Sequence, residues 1–113
     1  MIASQNTLVG VATVETGITA TAGGTKAAAY VLTKAINNVT VCATNADSVL
    51  LMPAKAGYQV FITNRGAASL QVFGAGTDTI NDVATGTGVA QATTVSAMYV
   101  CPVDGKWYRI LSA

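Results

Sequence analysis

The sequence predicts an all-β protein with a single domain. Short apolar runs alternate with segments rich in Gly, Asn, Asp, Ser and Thr, which is typical of strands joined by turns. The length of 113 residues fits one domain. We expect an antiparallel Greek-key β-sandwich or a jelly-roll-like barrel of about eight strands over residues 26–113. Residues 1–25 are expected to form an extended N-terminal arm in front of it.

The arm is predicted from composition. Thr, Ala, Gly and Val dominate residues 1–25, and Glu15 is their only charged residue. The apolar residues that could pair as a strand there are Leu8, Val9, Val11 and Val14. An arm of this kind lies along a neighbouring subunit or adds a strand to its sheet edge. The alternatives are a frayed terminus and the first strand of the domain itself.

The first elements of the domain follow from alternation. Residues 27–33 suit a strand better than a helix, because Tyr30 and Leu32 alternate with Val31 and Thr33. Residues 36–38, Ile-Asn-Asn, suit a turn. Residues 39–44 then alternate apolar and polar side chains, which predicts a half-buried strand.

Three apolar runs form the centre of the chain: 49–52, 58–63 and 70–73. Residues 53–57 and 64–69, between them, are small or turn-forming, so each run is predicted to be a strand. In the second run Val60 and Ile62 share one face, and Phe61 interrupts the otherwise polar face opposite. The first run is apolar at successive positions, as in a strand covered on both sides.

The last third of the chain is a long loop followed by a hairpin. Residues 74–91 are mostly Gly, Thr, Ala and Asn, with short strand segments at 79–80 and 89–90. Residues 93–101 and 106–111 are rich in strand formers, and Asp104-Gly105 between them tolerates positive φ. Trp107 and Tyr108 are consecutive, so one of the two rings faces the core and the other faces outward.

The composition indicates an interaction surface. Only 10% of the residues are charged, where about 25% is usual, and the mean hydropathy is +0.49. A surface with so few charges predicts that part of it meets another protein. The alternative is that Thr, Asn, Gln and Ser keep the surface hydrated without charge.

Charge and hydropathy also exclude some partners. The net charge of +1 and the scattered Lys and Arg residues provide no basic patch for nucleic acid. Residues 1–10 lack the basic start and continuous apolar stretch of a secretion signal, and no run is long enough to span a bilayer. We therefore expect synthesis in the cytoplasm, with no membrane contact.

Residues that support catalysis are scarce. The absence of His excludes Ser-His and Cys-His nucleophile pairs and removes the commonest transition-metal ligand. The four Asp residues all fall in predicted turns, where Asp hydrogen-bonds nearby backbone. A calcium site is a less favoured alternative for the oxygen-bearing residues Thr77, Asp78, Asn81 and Asp82. We predict no catalytic residue, no cofactor and no metal.

Cys42 and Cys101 both lie on predicted strands. They would form a disulfide if those strands were neighbours in an oxidising compartment. In a protein assembled in the cytoplasm, buried free thiols are favoured.

The centre of the chain resembles a known pattern. It reads Asp47-Ser48-Val49-x-Leu51-x-Pro53-Ala54, then Ala56-Gly57, Val60-x-Ile62-x-Asn64-x-Gly66-Ala67, Leu70-x-Val72 and Gly76-x-Asp78-x-Ile80-Asn81. This is similar to the small all-β proteins that decorate or cement the heads of tailed bacteriophages and to related modules of head fibres. The resemblance covers residues 26–111.

The resemblance implies a structural virion protein rather than an enzyme. Such a protein binds the exterior of the assembled phage capsid, contacts the major capsid protein and clamps neighbouring capsid subunits. It also implies a homo-oligomer, with a trimer favoured over a dimer. The residues expected to contact the capsid or another subunit are Leu8, Val9, Val11, Val14, Phe61 and Trp107. The alternative function is a head or tail fibre module that recognises a host glycan or envelope protein.

Overall fold

The computed structural model describes residues 12–112, in which the chain forms ten β-strands and no helix. The strands in chain order are β1 (Val14–Thr19), β2 (Tyr30–Val31), β3 (Ile36–Val41), β4 (Asp47–Leu50), β5 (Gln59–Asn64), β6 (Leu70–Phe73), β7 (Thr79–Ile80), β8 (Val89–Gln91), β9 (Ser96–Val103) and β10 (Lys106–Leu111). The prediction of an all-β single domain is confirmed.

The strands form two sheets. One has six strands in the order β1-β3-β5-β9-β10-β7, and the other has four in the order β2-β4-β6-β8. From β1 to β6 the chain alternates between the sheets, and strands that follow one another within a sheet are parallel. Each pair of strands is therefore one turn of a coil, and three turns stack in a β-solenoid-like arrangement.

The end of the chain closes the stack differently. β8 runs antiparallel to β6, β9 runs antiparallel to β5, and β10 returns along β9 as a hairpin. This hairpin was predicted, and Gly105 in its turn has a φ of +84°. β7 adds a short parallel strand at the far side of β10.

The predicted antiparallel Greek-key or jelly-roll connectivity is wrong for β1 to β6. The alternation of apolar residues specifies that a segment is a strand and which side faces the core. It carries no information on whether the neighbouring strand runs in the same direction. The connections here cross from one sheet to the other instead of turning back, so parallel pairing results.

The core lies between the two sheets. The four-stranded sheet contributes a row of facing residues, Tyr30, Val49, Val72 and Val89, that follows its strand order. The six-stranded sheet contributes Val39, Val60, Ile62, Tyr99 and Trp107, all at most 1% exposed. Each fully buried side chain of this size contributes about 1.5–3 kcal/mol through its removal from water.

The domain extends further toward the N-terminus than predicted. Residues 14–19 form β1, which pairs in parallel with β3, and Ile18 is 2% exposed within the core. Residues 12–25 therefore belong to the domain. Of the alternatives to an arm, the first strand of the domain is the one that the structure shows at residues 14–19. The expected boundary between residues 25 and 26 is wrong. Residues 1–11 lie outside the described part of the chain.

The turns of the coil approach each other closely at Gly66. The segment after β5 bonds to the turn before it: Arg65 N donates to Val39 O at 2.8 Å, and Ala68 N donates to Cys42 O at 2.9 Å. A Cβ on Gly66 would collide with the Cys42 backbone nitrogen and lie 2.6 Å from the Cys42 Cβ. Only glycine allows this spacing.

Replacing Gly66 with Ala therefore tests the stacking of successive turns. We expect Gly66→Ala to lower the free energy of unfolding by about 2–3 kcal/mol, because backbone has to move to accept the methyl group. Urea unfolding measures the change. The control is Ala67→Ser at the neighbouring exposed position, and a loss for Gly66→Ala of less than about 0.5 kcal/mol would contradict the close approach.

Candidate interaction surface

The outward face of the six-stranded sheet carries a row of apolar side chains that crosses five strands. The strand registers place Val14 beside Ile36, Ile36 beside Phe61, Phe61 beside Met98, and Met98 beside Ile110. We call these five residues the apolar row. At about 4.8 Å between strands, the row is roughly 19 Å long.

The residues on either side of the apolar row differ from it. On one side, Thr16, Asn38, Thr63, Ser96 and Ser112 form a polar line. Hydrogen bonds connect its members, with Thr63 Oγ1 donating to Asn38 Oδ1 at 2.7 Å and Asn38 Nδ2 donating to Thr16 Oγ1 at 3.0 Å. On the other side, the register aligns Gln59, Val100 and Tyr108. The apolar row is therefore bounded by polar side chains on one side, whereas Val100 continues the apolar surface on the other.

The apolar row is exposed and contains a shallow groove. Val14 is 57% exposed, Phe61 39% and Ile110 58%. The groove has a volume of about 230 Å³ and runs between Phe61 and Ile110, with Met98 between them. Leu111, 40% exposed, extends its apolar lining beyond the row. A partner with a narrow apolar ridge or an extended segment fits this shape.

Part of the outward face of the four-stranded sheet is covered by the chain itself. Ser48 is fully buried, and its hydroxyl donates to Thr25 O at 3.2 Å. Phe73 is only 6% exposed because Gly88 lies against its ring, where an added Cβ would be 3.0 Å from Cε1. The apolar row has no such cover within residues 12–112, so the two faces differ in what they offer a partner.

Val14 and Phe61, two of the expected contact residues, lie in the apolar row. Trp107 does not: it is completely buried, and Tyr108 is the ring of this pair that faces outward. The expectation that Trp107 contacts a partner is therefore wrong, because the hairpin register directs its side chain into the core. The expected contacts Leu8, Val9 and Val11 lie outside the described residues.

Sequence reasoning missed Ile36, Met98 and Ile110 as members of the surface. Ile36 was assigned to a turn, although it begins β3. Met98 and Ile110 lie in the predicted hairpin, where alternation from Trp107 would have placed Ile110 on the opposite face from that ring. Their alignment with Phe61 depends on the strand register, which the sequence pattern leaves open.

A buried polar network supports the strands beneath the apolar row. Tyr99 Oη donates to Gln91 Oε1 at 2.8 Å, and Gln91 Nε2 donates to Ile62 O and Val95 O, each at 2.9 Å. Asn64 Nδ2 donates to Gln91 O at 2.9 Å. All three side chains are fully buried. The network holds β5, β8 and β9 in one arrangement, because any displacement would leave buried polar atoms without partners.

Most of the Asp side chains accept hydrogen bonds from the backbone of connecting segments. Backbone N–H groups donate to three of the Asp carboxylates: Thr44 to Asp47, Ala54 to Asp78, and Ala56 to Asp104. Asp82 accepts from Tyr108 Oη at 3.0 Å and lies 3.6 Å from Lys106 Nζ. Within residues 12–112, no group of three or more His, Cys, Asp or Glu side chains is arranged to hold a metal ion.

The two cysteines are buried and unbonded, as the sequence favoured. Burial raises the pKa of the Cys42 thiol, and the Asp47 carboxylate adds to that effect. A thiol with a raised pKa is a weak nucleophile at neutral pH. Cys42 therefore acts as a small core residue that also receives the close approach of Gly66.

No helix in the described part of the chain has the length and apolar character needed to cross a bilayer. Comparison of the chain with protein families, with curated proteins and with solved structures yields no match.

Tyr99 makes the network sensitive to alkaline pH. Burial raises the pKa of Tyr99 to about 12, with Arg109 acting in the opposite direction, whereas an unfolded Tyr ionises near pH 10. The fold stabilises the neutral form of Tyr99. The contribution of this group to the free energy of unfolding is therefore complete below about pH 10 and is lost as the pH rises through about 12. The full difference corresponds to about 3 kcal/mol of unfolding free energy.

Urea unfolding of the wild type and Tyr99→Phe across this pH range checks the prediction. At neutral pH the variant should be less stable by about 1–2 kcal/mol, because Gln91 Oε1 loses its donor. The difference in unfolding free energy between the wild type and Tyr99→Phe should become smaller above about pH 10. The pKa values of Tyr30, Tyr108 and Cys42 are also raised, by Glu15, Asp82 and burial respectively, but these groups are common to both proteins. A gap that stays constant would show that Tyr99 ionises alike in both states.

Proposed function

We propose that this protein is a structural protein of the phage-decoration type, which binds the outside of an assembled capsid through the apolar row and stabilises the contacts between capsid subunits. The observation that carries the proposal is the apolar row itself, in which the strand registers align Val14, Phe61 and Ile110 as exposed side chains on one sheet face. Its function is binding, without turnover of a substrate.

The chemistry around the apolar row supports a protein partner. None of the residues of the row, of the polar line, or of the line through Gln59, Val100 and Tyr108 is charged. Phosphate binding requires clustered Lys and Arg, so this face does not suit nucleic acid. Apolar side chains without charged neighbours, next to a line of polar ones, are typical of a protein interface.

The size of the apolar row predicts how binding is achieved. Five partly exposed side chains present roughly 300 Å² of apolar surface, which at ~25 cal/mol per Å² gives about 8 kcal/mol. Association alone costs about 4–15 kcal/mol. One such contact is therefore weak, and firm attachment requires neighbouring surface as well, or several copies that bind one lattice together. An oligomer, with a trimer as the favoured form, supplies that multivalency.

Stabilisation of the capsid follows from linkage. A protein that binds the closed arrangement of capsid subunits and has no affinity for separated ones shifts the equilibrium toward the closed arrangement. Each contact contributes little, but the contacts repeat over the lattice. Rupture of the shell then requires many of them to break together.

Co-sedimentation with undecorated capsids of the parent phage tests the proposal. The wild type should bind saturably at a fixed ratio to the capsid protein and raise the temperature at which capsids rupture. Phe61→Ser and Ile110→Ser should each weaken binding about tenfold or more, because each places a hydroxyl where the partner is apolar. The matched control is Val103→Ser, since Val103 is 55% exposed but lies outside the apolar row.

Two results would overturn the proposal. The first is absence of binding by a folded wild-type protein, which would direct attention to glycans and the fibre-module alternative. The second is capsid binding by Phe61→Ser and Ile110→Ser that is as tight as that of the wild type and of Val103→Ser. That result would show that the capsid contact lies elsewhere. Unfolding curves for all four proteins verify that the substitutions leave the fold intact.

A further inference from the structure

We propose that the groove in the apolar row binds one large apolar side chain, aliphatic or aromatic, that projects from the capsid protein. The groove lies along β9, between β5 and β10. The preference for a single apolar side chain follows from the groove itself. Only the assignment of that side chain to the capsid protein rests on the proposed function.

The strand registers create the groove. Phe61 on β5 and Ile110 on β10 are both paired with Met98, on the strand between them. Met98 is half-buried, whereas the two side chains that flank it are exposed, so they form the walls and Met98 the floor. Tyr99, the next residue along β9, is held by the buried polar network. The groove is therefore present before a partner arrives, which reduces the entropy that binding has to overcome.

The volume of the groove suits one side chain. It measures about 230 Å³. An apolar cavity of about 150 Å³ accommodates a benzene molecule, whereas pockets for drug-sized ligands have volumes of about 300–1,000 Å³. The groove is therefore too small for such a ligand and large enough for the ring of a Phe or the branched end of a Leu.

The groove offers few hydrogen bonds to a polar ligand. Its surface is almost entirely apolar, although the hydroxyl-bearing residues Thr63, Ser96 and Ser112 lie along it. Thr63 Oγ1 donates to Asn38 Oδ1 at 2.7 Å, and Ser112 Oγ accepts from Ser96 N at 3.0 Å, so these two hydroxyl groups already have partners within the fold. A sugar would lose hydrogen bonds to water here without replacing most of them. An apolar side chain has none to lose.

The groove also selects against charge. None of the residues that line it is charged, so a Lys, Arg, Asp or Glu side chain would lose hydration there without meeting an opposite charge. The floor is adaptable, because the unbranched thioether side chain of Met98 packs well against both aliphatic and aromatic groups. The groove therefore accepts either kind of apolar side chain.

A capsid is a better source of this side chain than a second copy of the protein. The apolar row offers roughly 300 Å² to a partner, whereas a stable interface between two proteins buries about 800 Å² on each. A capsid lattice makes up the difference by presenting the same side chain many times to linked copies. Two copies that meet in solution through this face lack that repetition.

Titration with single capped amino acids tests the groove without capsids. The probes are N-acetyl-leucinamide and N-acetyl-phenylalaninamide, added to the full-length protein with isotope-labelled methyl groups. Both should shift the nuclear magnetic resonance signals of the Met98 and Ile110 methyl groups saturably at millimolar concentrations, and those of Val103 should stay in place. N-acetyl-serinamide and glucose should cause no such shift. Absence of a shift with the two apolar probes, or an equal shift with glucose, would overturn the proposal.

A variant that fills the groove separates the effect of its shape from that of its apolar character. Met98→Trp keeps the row apolar but occupies the groove, so it should abolish the probe-induced shift of Ile110 and weaken capsid binding about tenfold or more. The matched control is Val103→Trp, which adds the same ring at an exposed position outside the apolar row and should bind capsids as the wild type does. Capsid binding by Met98→Trp as tight as that of the wild type would overturn the assignment of the groove to the capsid.

Two further measurements accompany the variants. Urea unfolding verifies that they are folded; if Met98→Trp is not, Ile110→Trp, at a position that is 58% exposed, replaces it. Equilibrium sedimentation gives the mass of each protein, which should be the same for the wild type and both Trp variants. Loss of an oligomer in the groove-filling variant alone would assign the groove to a second copy and overturn its assignment to the capsid.

The proposed function and this inference fail in distinguishable ways. Methyl shifts as expected, together with no capsid binding by the wild type, would refute the decoration function and leave the preference of the groove for an apolar side chain established. Weakened capsid binding by Phe61→Ser, together with undiminished binding by Met98→Trp, would refute the role of the groove and leave the decoration function in place.

Discussion

The stacking of successive turns at the spacing of hydrogen-bonded parallel strands is the constraint on which the other features depend. It requires two backbones to meet without a side chain between them where Gly66 lies over Cys42. It also fixes the registers of β1, β3 and β5. Residues far apart in the sequence, such as Val14, Ile36 and Phe61, come to lie side by side on one face because those registers hold.

The two faces of the molecule then follow from where the connecting segments run. The segment after β1 and the loop before β8 cover the middle of the four-stranded sheet, as the burial of Ser48 and Phe73 shows. In the six-stranded sheet the closing hairpin follows β5 and extends the apolar row through Met98 to Ile110. Beneath it, the Tyr99, Gln91 and Asn64 side chains hold the strands in place. A surface built on a buried polar network is rigid, and rigidity reduces the entropy that binding has to overcome.

The sequence predicted most strands, the closing hairpin and the outward position of Phe61, because alternation and turn residues are local signals. It could not predict strand direction, because parallel and antiparallel neighbours require the same alternation. For the same reason Ile36, Met98 and Ile110 were missed: each is unremarkable alone, and only the register aligns them. Trp107 was wrongly expected to contact a partner. The pattern predicted that one of the two rings, Trp107 or Tyr108, is buried, but it did not indicate which one. The strand at residues 14–19 was obscured by Gly17, whose positive φ interrupts an otherwise regular element.

The irregularity of β1 affects whether a second molecule can stack its turns on this coil. Parallel turns that stack in register could in principle continue from one molecule into the next, and a chain of such contacts would be a fibre. At the β1 edge, the shifted register and Gly17 break the regular spacing that a second molecule would need. At the opposite edges, β7 and β8 are only two and three residues long and give little length for pairing. Within the described residues, both ends of the stack thus offer an irregular or very short edge to a second molecule.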